Sequence, residues 1–403
     1  MTQSKMILKH RERTMKKILL ILVMSLLILP RAAVLAGEAP APDFLLTAGG
    51  SFAYARDSAM TLTVYGDNQF GQLGKGGRAQ TKRTAVFKSK NGDIDVSRIR
   101  DIYAGCDYSF FLMDDGTIYG VGNNAYNPLL IGFKRSSAVT HVLIPLEDRT
   151  VVKMACGFGQ VLALNEAGEV WAWGRNSDGQ VGCGSTKKIT EPVKLPLNNI
   201  VDIAAGGKFS LALDRDGVLW GWGSNSNHQL SAGREKYFSS PMKVDLGDIR
   251  PAFIDAGGAT VSVVDTEGKM YMWGRNDVQQ IGFDSKKADV TEPRLMSELP
   301  LPVTMMDSYN SQTYAILSDG SLWGWGNNQS GQLGLGKKSS RGTPVSMIVA
   351  KDVIYVTSFD VSMNCVLKDG TVLACGSNKF GQFGGSRGDF HIPTITENGM
   401  KLF

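Results

Sequence analysis

The sequence predicts an all-β protein made of seven copies of one four-stranded antiparallel unit, set radially and closed into a ring. Three observations predict it. A repeat of about 50 residues runs to the end of the chain, every tryptophan is locked to one strand of that repeat, and apolar runs in each unit are joined by turn chemistry.

Aligning the copies on the glycine that closes an aromatic strand gives Gly66, Gly122, Gly174, Gly223, Gly274, Gly326 and Gly376, at intervals of 56, 52, 49, 51, 52 and 50 residues. All seven tryptophans (Trp171, Trp173, Trp220, Trp222, Trp273, Trp323, Trp325) fall just before these glycines. The fourth copy shows the local physics. Ile203-Ala-Ala-Gly-Gly207 leads into Phe209-Ser-Leu-Ala-Leu213, then Asp216-Gly217, then Val218-Leu-Trp-Gly-Trp-Gly223. Two apolar runs around an Asp-Gly turn form a hairpin, because glycine accepts the positive φ such turns need. Both faces of the hairpin are apolar, which suits a sheet held between neighbouring sheets. The small residues before it let backbones crowd where sheets converge. After the hairpin come a Gly-x-Asn-x-x-Gly-Gln-Leu-Gly loop, a variable polar stretch and an extended segment, which makes about four strands. Such a unit cannot bury its faces alone, whereas seven in a ring can.

Asn follows the anchor glycine by two residues in all seven copies (Asn68, Asn124, Asn176, Asn225, Asn276, Asn328, Asn378). Gln follows it by six in six copies (Gln72, Gln180, Gln229, Gln280, Gln332, Gln382). Their recurrence from blade to blade points to amides that tie loop backbone together rather than to a ligand ring.

The chain has 403 residues and a formal charge of +5. Seven basic residues and one acid lie in the first 36, leaving 36 basic against 37 acidic, so residues 37–403 carry about −1. No nucleic-acid partner is expected from such a balance. The first 36 residues read as a secretory signal: a basic stretch to Lys17, twelve apolar or small residues from Ile18 to Leu29, and small residues at Val34-Leu35-Ala36. Met15 is an alternative start. An apolar run of twelve is short of the roughly 20 residues a helical span takes. Residues 37–43 form a linker, and 44–403 a single domain expected to be a monomer without a membrane span. The product is expected outside the cell or at its surface.

Five cysteines (Cys106, Cys156, Cys183, Cys365, Cys375) sit at repeat positions that hold Ala, Gly or Trp elsewhere, and read as packing residues, with one disulfide left open. No metal spacing is present, and no cofactor or metal is expected. Gly331-Gln-Leu-Gly-Leu-Gly-Lys337 resembles a phosphate loop but has Lys338 where Ser or Thr belongs, and Asp214-Arg-Asp-Gly217 begins but does not complete a calcium loop. Without a hydrolase nucleophile motif or a histidine constellation, no enzyme activity is expected and no catalytic residue is assigned.

Val170-Trp-Ala-Trp-Gly-Arg-Asn-Ser-Asp-Gly-Gln-Val-Gly182 and Leu322-Trp-Gly-Trp-Gly-Asn-Asn-Gln-Ser-Gly-Gln-Leu-Gly334, with five weaker copies, resemble the regulator of chromosome condensation repeat family. The resemblance covers about residues 44–403 and implies a seven-bladed β-propeller, here a bacterial-type secreted member. Phe44 enters mid-repeat, so the C-terminal strand around His391-Ile-Pro-Thr-Ile395 is expected to complete the first blade and close the ring. Departures are clear. The family usually has His after the Ala-Gly step, where this chain has Phe52, Tyr108, Gln160, Phe209, Thr260, Gln312 and Ser362; copy 2 reads Asn127-Pro-Leu-Leu-Ile-Gly132 in its loop; and copies 6 and 7 lose Ala-Gly.

Two sets of residues go beyond folding. The variable loops place a cation 11 to 13 residues past every anchor: Arg78, Lys134 with Arg135, Lys187, Arg234 with Lys236, Lys286 with Lys287, Lys337 with Lys338, and Arg387. Equivalent loops emerge on one side, so these form a candidate basic rim for an acidic protein surface or an anionic wall polymer, blunted by Glu235, Asp284, Asp289 and Asp389. Tyr309, Asn310, Phe359 and Asp360 replace the small residues of copies 6 and 7, either as interface residues or as core filling. Arg387-Gly388-Asp389 is read as turn chemistry. The expected function is a secreted, non-enzymatic scaffold that binds a protein or ligand. The alternatives are a secreted hydrolase inhibitor, since the fold also resembles a propeller-type β-lactamase inhibitor, and a propeller enzyme such as a lyase. Nucleotide exchange on a small GTPase, the family's best-known activity, fits poorly with export.

Overall fold

The computed structural model describes residues 44–403 apart from 79–84, 88–89, 92–93, 231–232, 284–288, 340–342, 348–349, 384–387, 396–401 and 403. The signal and linker segments, 1–43, lie outside the described residues.

Each repeat folds as one blade whose four strands follow in chain order. Blade 4 is typical, with strands Ile200–Ala205, Phe209–Asp214, Leu219–Ser224 and Tyr237–Lys243. Its central hairpin pairs Phe209 with Gly223 and Ala212 with Trp220 around the Asp216-Gly217 turn, where Gly217 has φ +81°. Seven such four-stranded sheets occur, and an additional two-stranded ribbon, Lys90–Asn91 with Ile94–Asp95, leads into blade 2. The first strands of successive blades touch one another all the way round, the last against the first. The result is a closed seven-bladed propeller. Second strands such as Tyr108–Met113, Gln160–Asn165 and Thr260–Asp265 are buried along their whole length, as a sheet covered on both faces requires, whereas the outer strand of blade 4 is largely open. Among the described residues no helix is long and apolar enough to cross a membrane.

The repeat residues are the mortar. In all seven copies the Asn side-chain oxygen accepts from the backbone N–H five residues on, for example Leu230 N–H to Asn225 at 2.9 Å and Leu333 N–H to Asn328 at 3.1 Å. In all six copies that carry it, the Gln side-chain oxygen accepts from the N–H two residues before it. The Gln carbonyl then takes the indole of the next blade: Trp222 Nε1 donates to Gln180 O at 2.9 Å, Trp273 to Gln229 at 3.0 Å and Trp325 to Gln280 at 3.1 Å. Copy 2 lacks the Gln, and Trp173 donates to Pro128 O at 2.8 Å instead. Cys375 stands in the tryptophan slot of blade 7, and its thiol donates to Gln332 O at 3.0 Å. All five cysteines are free thiols.

Polar side chains also tie the inner strands. Arg56 reaches the Ile99 carbonyl, Arg100 the Val151 carbonyl, and Lys153 pairs with Asp202. Asp202 accepts from Ile254 N–H at 3.2 Å, Asp255 from Ser308 N–H at 2.7 Å and Asp307 from Ser358 N–H at 2.7 Å. These ties run from blade 1 to blade 7. Carboxylates on the channel wall are thus engaged in joining blades.

Closure between blades 7 and 1 differs from the sequence expectation. The strand Asp389–Ile395 pairs with Val372–Ser377 and completes blade 7, not blade 1. Blade 1 supplies its own inner strand, Leu45–Ala48, because Leu45-Leu-Thr-Ala-Gly-Gly50 fills the place that Ile203-Ala-Ala-Gly-Gly207 fills in blade 4. Chain and blades are therefore in phase. The seam is sealed by apolar packing, with Leu46 and Ala55 of blade 1 against Val366 and Val372 of blade 7, and by Leu402. Leu402 is buried, accepts from Ser58 N–H of blade 1 at 2.9 Å and donates to Gly370 O of blade 7 at 2.9 Å.

Candidate functional site

Backbone bonds define which loops share a face. The residue after each anchor glycine donates to the turn between the first and second strands of its own blade: Asn123 to Asp107 O, Ser224 to Lys208 O, Asn327 to Ser311 O. The long loops between third and fourth strands therefore lie on the same face as the first-to-second turns. We call this the loop face. The Asp-Gly turns lie at the other end, where Arg215 donates to Asn199 O and Ser318 to Pro302 O.

Five residues of the predicted rim lie on the loop face. Arg78, Lys134, Lys187, Arg234 and Lys337 are all exposed, whereas Lys286 and Arg387 lie outside the described residues. Their placement follows from the repeat. The Asn that staples each loop also donates its amide to the loop's far end, to Lys187 O at 2.9 Å in blade 3, Lys337 O at 3.0 Å in blade 6 and Arg135 O at 2.8 Å in blade 2. One amide folds the loop and fixes the backbone of a rim cation. One charge is already matched, Lys338 pairing with Asp389 at 2.5 Å, and Arg78 donates to the neutral Ser137 Oγ at 2.6 Å.

The four repeat-breaking residues separate. Phe359 is fully buried and packs on Phe383 between blades 7 and 1, so it is core filling. Asn310 and Asp360 occupy left-handed turns (φ +51° and +40°), a conformation that Asn and Asp tolerate. An exchange of bulk explains the loss of Ala-Gly. In blade 4 a β-carbon on Gly206 would lie 2.1 Å from the Phe209 ring, so the glycine makes room for the aromatic three residues on. In blades 6 and 7 that later position holds Gln312 and Ser362, and the aromatic sits in the glycine's place.

Tyr309 alone of the four crosses the ring. Its hydroxyl lies 3.2 Å from Cys106 Sγ of blade 2, and its ring centre 5.9 Å from that of Phe158 of blade 3. These blades stand on the far side of the channel from blade 6, so the tyrosine bars the mouth. Burial pushes the Cys106 thiol up to about 11, with the Tyr309 bond acting against it, and pushes the Tyr309 hydroxyl well above its usual range. The carboxyls of Asp107 and Asp360 beside them are raised, first by burial and then, for Asp360, by repulsion from Asp107. Phe158 was missed in the sequence and Cys106 was read as a packing residue, although both occupy a turn slot that holds glycine in three other copies.

A cleft opens beside the mouth between blades 2 and 3, lined by Cys106, Asp107, Asn123, Tyr126, Pro128 and Phe158. It is shallow and open on one side, with a cavity volume of about 50 Å³, room for the edge of one ring. Above it the loop of copy 2 leans onto blade 3. The Arg175 guanidinium lies 4.7 Å from the Tyr126 ring centre, Lys188 Nζ lies 5.0 Å from that of Phe133, and Asn127 Nδ2 donates to Ile189 O at 3.3 Å. Among the described residues no group of three or more His, Cys, Asp or Glu is placed to hold a metal ion.

Seven wedges joined by loop amides and indoles, with a loop face around a barred channel, define a closed seven-bladed propeller of the tandem-repeat class. The regulator of chromosome condensation (RCC1) repeat profile matches residues 167–213 and 319–360, and a second profile of that repeat matches 151–180 and 200–229. Residues 151–229 and 319–360 thus carry regulator of chromosome condensation repeats. The chain is 29% identical over 346 residues to the human probable E3 ubiquitin-protein ligase HERC4, spanning 71% of this chain and 32% of that protein. It is 27% identical over 320 residues to the Arabidopsis thaliana ultraviolet-B receptor UVR8, spanning 77% and 72%. Among solved structures, yeast RCC1 (Prp20) bound to Kap60 superposes with TM-score 0.74 at 20% identity, over 89% of this chain and 85% of that one. Human WBSCR16 gives 0.72 at 23% identity, over 82% and 88%. The chain thus spans about a third of HERC4.

Proposed function

We propose that this protein is a non-enzymatic scaffold that docks a protein partner on its loop face, outside the cell or at its surface. One observation carries the reading: exposed cations recur 11 to 13 residues past the anchor in the described loops, and in blades 2, 3 and 6 the amide that folds the loop also holds the backbone of a cation. A rim built this way presents charge in a rigid arrangement, which favours oriented capture of an acidic surface and makes binding sensitive to salt. Prp20, which shares the fold, is described bound to Kap60 and as binding Gsp1p and histones, and such propellers offer surfaces to protein partners. Export rests on the basic and apolar pattern of residues 1–36.

The test is capture from culture supernatant and wall fractions by residues 37–403. One triple variant reverses rim charges (Lys134→Glu, Lys187→Glu, Lys337→Glu together), and a control reverses Arg215, Arg250 and Lys351 on the opposite face. Loss of the captured protein with the first set alone, and release by moderate salt, supports the reading. Equal loss with both sets, or with neither, contradicts it.

A further inference from the structure

We infer that the cleft between blades 2 and 3 anchors an acidic polypeptide segment by one aromatic side chain, with Tyr126 and Phe133 as the contact aromatics and Arg175 and Lys188 as the carboxylate partners. This inference rests on the loop-face reading and deepens it.

Two aromatic rings stand exposed on this part of the face, Tyr126 at 47% and Phe133 at 38%. Leaving them in water is unfavourable, and each is covered on one side by a cation of the next blade. Rings held in this way are immobilised before binding, so less entropy is lost when a partner arrives. Tyr and Arg beside a shallow cleft that takes the edge of one ring is the composition in which binding energy concentrates.

Charge selects the partner. Beside the cleft the chain displays Arg175 and Lys188, with Lys134, Arg135 and Lys187 exposed on the same two loops; the acids there are Asp178, 4.0 Å from Arg175, and Asp107 in the cleft lining. An acidic segment satisfies these cations. Asp107, one of the residues lining the cleft, points to the chemistry of the anchor. Its carboxylate excludes an acidic side chain but accepts from an indole N–H or a phenol O–H, so the anchor is Trp or Tyr.

The local sequence explains why the loop of this blade does so. Copy 2 substitutes Asn127-Pro128 for the Gly-Gln of the repeat. Asn127 takes the left-handed turn at φ +61°, and the loop carries Phe133 out beyond its staple.

The experiment uses fluorescence anisotropy with a labelled twelve-residue Asp/Glu peptide bearing one central Trp, and the same peptide with Ala in its place. The proposal expects the Trp peptide to bind tighter, Tyr126→Ala to weaken it at least tenfold and Phe133→Ala several-fold, and the Ala peptide to be indifferent to both. Both side chains are exposed, and an unchanged melting temperature confirms that the variants fold. Equal binding of the two peptides, or Trp-peptide binding that ignores Tyr126 and Phe133 yet falls with the rim reversals, overturns the anchor and leaves the loop face standing. Failure of wild type to bind either peptide while it binds heparin overturns the acidic-segment assignment. Binding that falls only with the Arg215, Arg250 and Lys351 reversal overturns the anchor and the loop-face reading together.

Discussion

Asn225 accepts from Leu230 N–H and donates to Glu235 O, both at 2.9 Å, and is buried. Replacing it with Ala leaves a buried amide unpaired, so Asn225→Ala is expected to cost about 1–3 kcal/mol in urea unfolding. Asn225→Asp, which keeps an acceptor, is expected to cost less. At the channel mouth the direction is set by charge. Asp360 holds its proton more firmly when folded than when unfolded, so its ionisation weakens the fold at neutral pH, and the penalty lifts as pH falls through its range. Asp360→Asn is therefore expected to raise the melting temperature at pH 7, with the gap to wild type narrowing toward pH 4. Asn also accepts the left-handed turn, which adds a difference independent of pH; a gap that stays constant with pH contradicts the electrostatic account. Asp115 works in the opposite sense. Bonds to Thr117, then Arg98, hold it at about 2, and its contribution is lost as pH falls.

At the scale of the blade, what matters is which of two turn positions carries the bulk. Gly206→Ala is expected to cost about 1–3 kcal/mol by driving a β-carbon into the Phe209 ring. In a Phe209→Ser background the same change is expected to cost less, giving a double-mutant coupling of about 1 kcal/mol or more. Additive costs would mean that the two positions do not share the space. This exchange shows how far the sequence could be read. Strand periodicity, anchor glycines and the Asn and Gln staples were legible because each obeys a local rule repeated seven times. The fate of Tyr309 and Phe359 was not, because both occupy the same slot and only the neighbouring blades decide that one fills a core and the other bars a channel. Tyr126 and Phe133 escaped for a related reason: a loop that departs from the repeat shows that it differs, not what it touches.

For the ring as a whole, the seam between blades 7 and 1 is the point where the covalent chain does not help. Leu402 spans it with two backbone bonds and a buried side chain. Leu402→Ala is expected to cost about 2–5 kcal/mol in chemical denaturation, with faster hydrogen exchange concentrated in blades 1 and 7. Loss spread evenly over all blades would place closure elsewhere. A strand exchanged between first and last blades was a reasonable expectation, yet Leu45–Ala48 already fills the inner place of blade 1, so the seam needs only a clip. The closed ring then gives the molecule two unlike ends, one built of Asp-Gly turns and one of long cationic loops, and the account assigns partner binding to the second. Hydrogen exchange by mass spectrometry, on the chain with and without the partner recovered by capture, tests this most directly. The account predicts protection within residues 124–136 and 175–190, with the turns at 214–217 and 265–268 unchanged. Protection of those turns, with the loops exchanging freely, would contradict it.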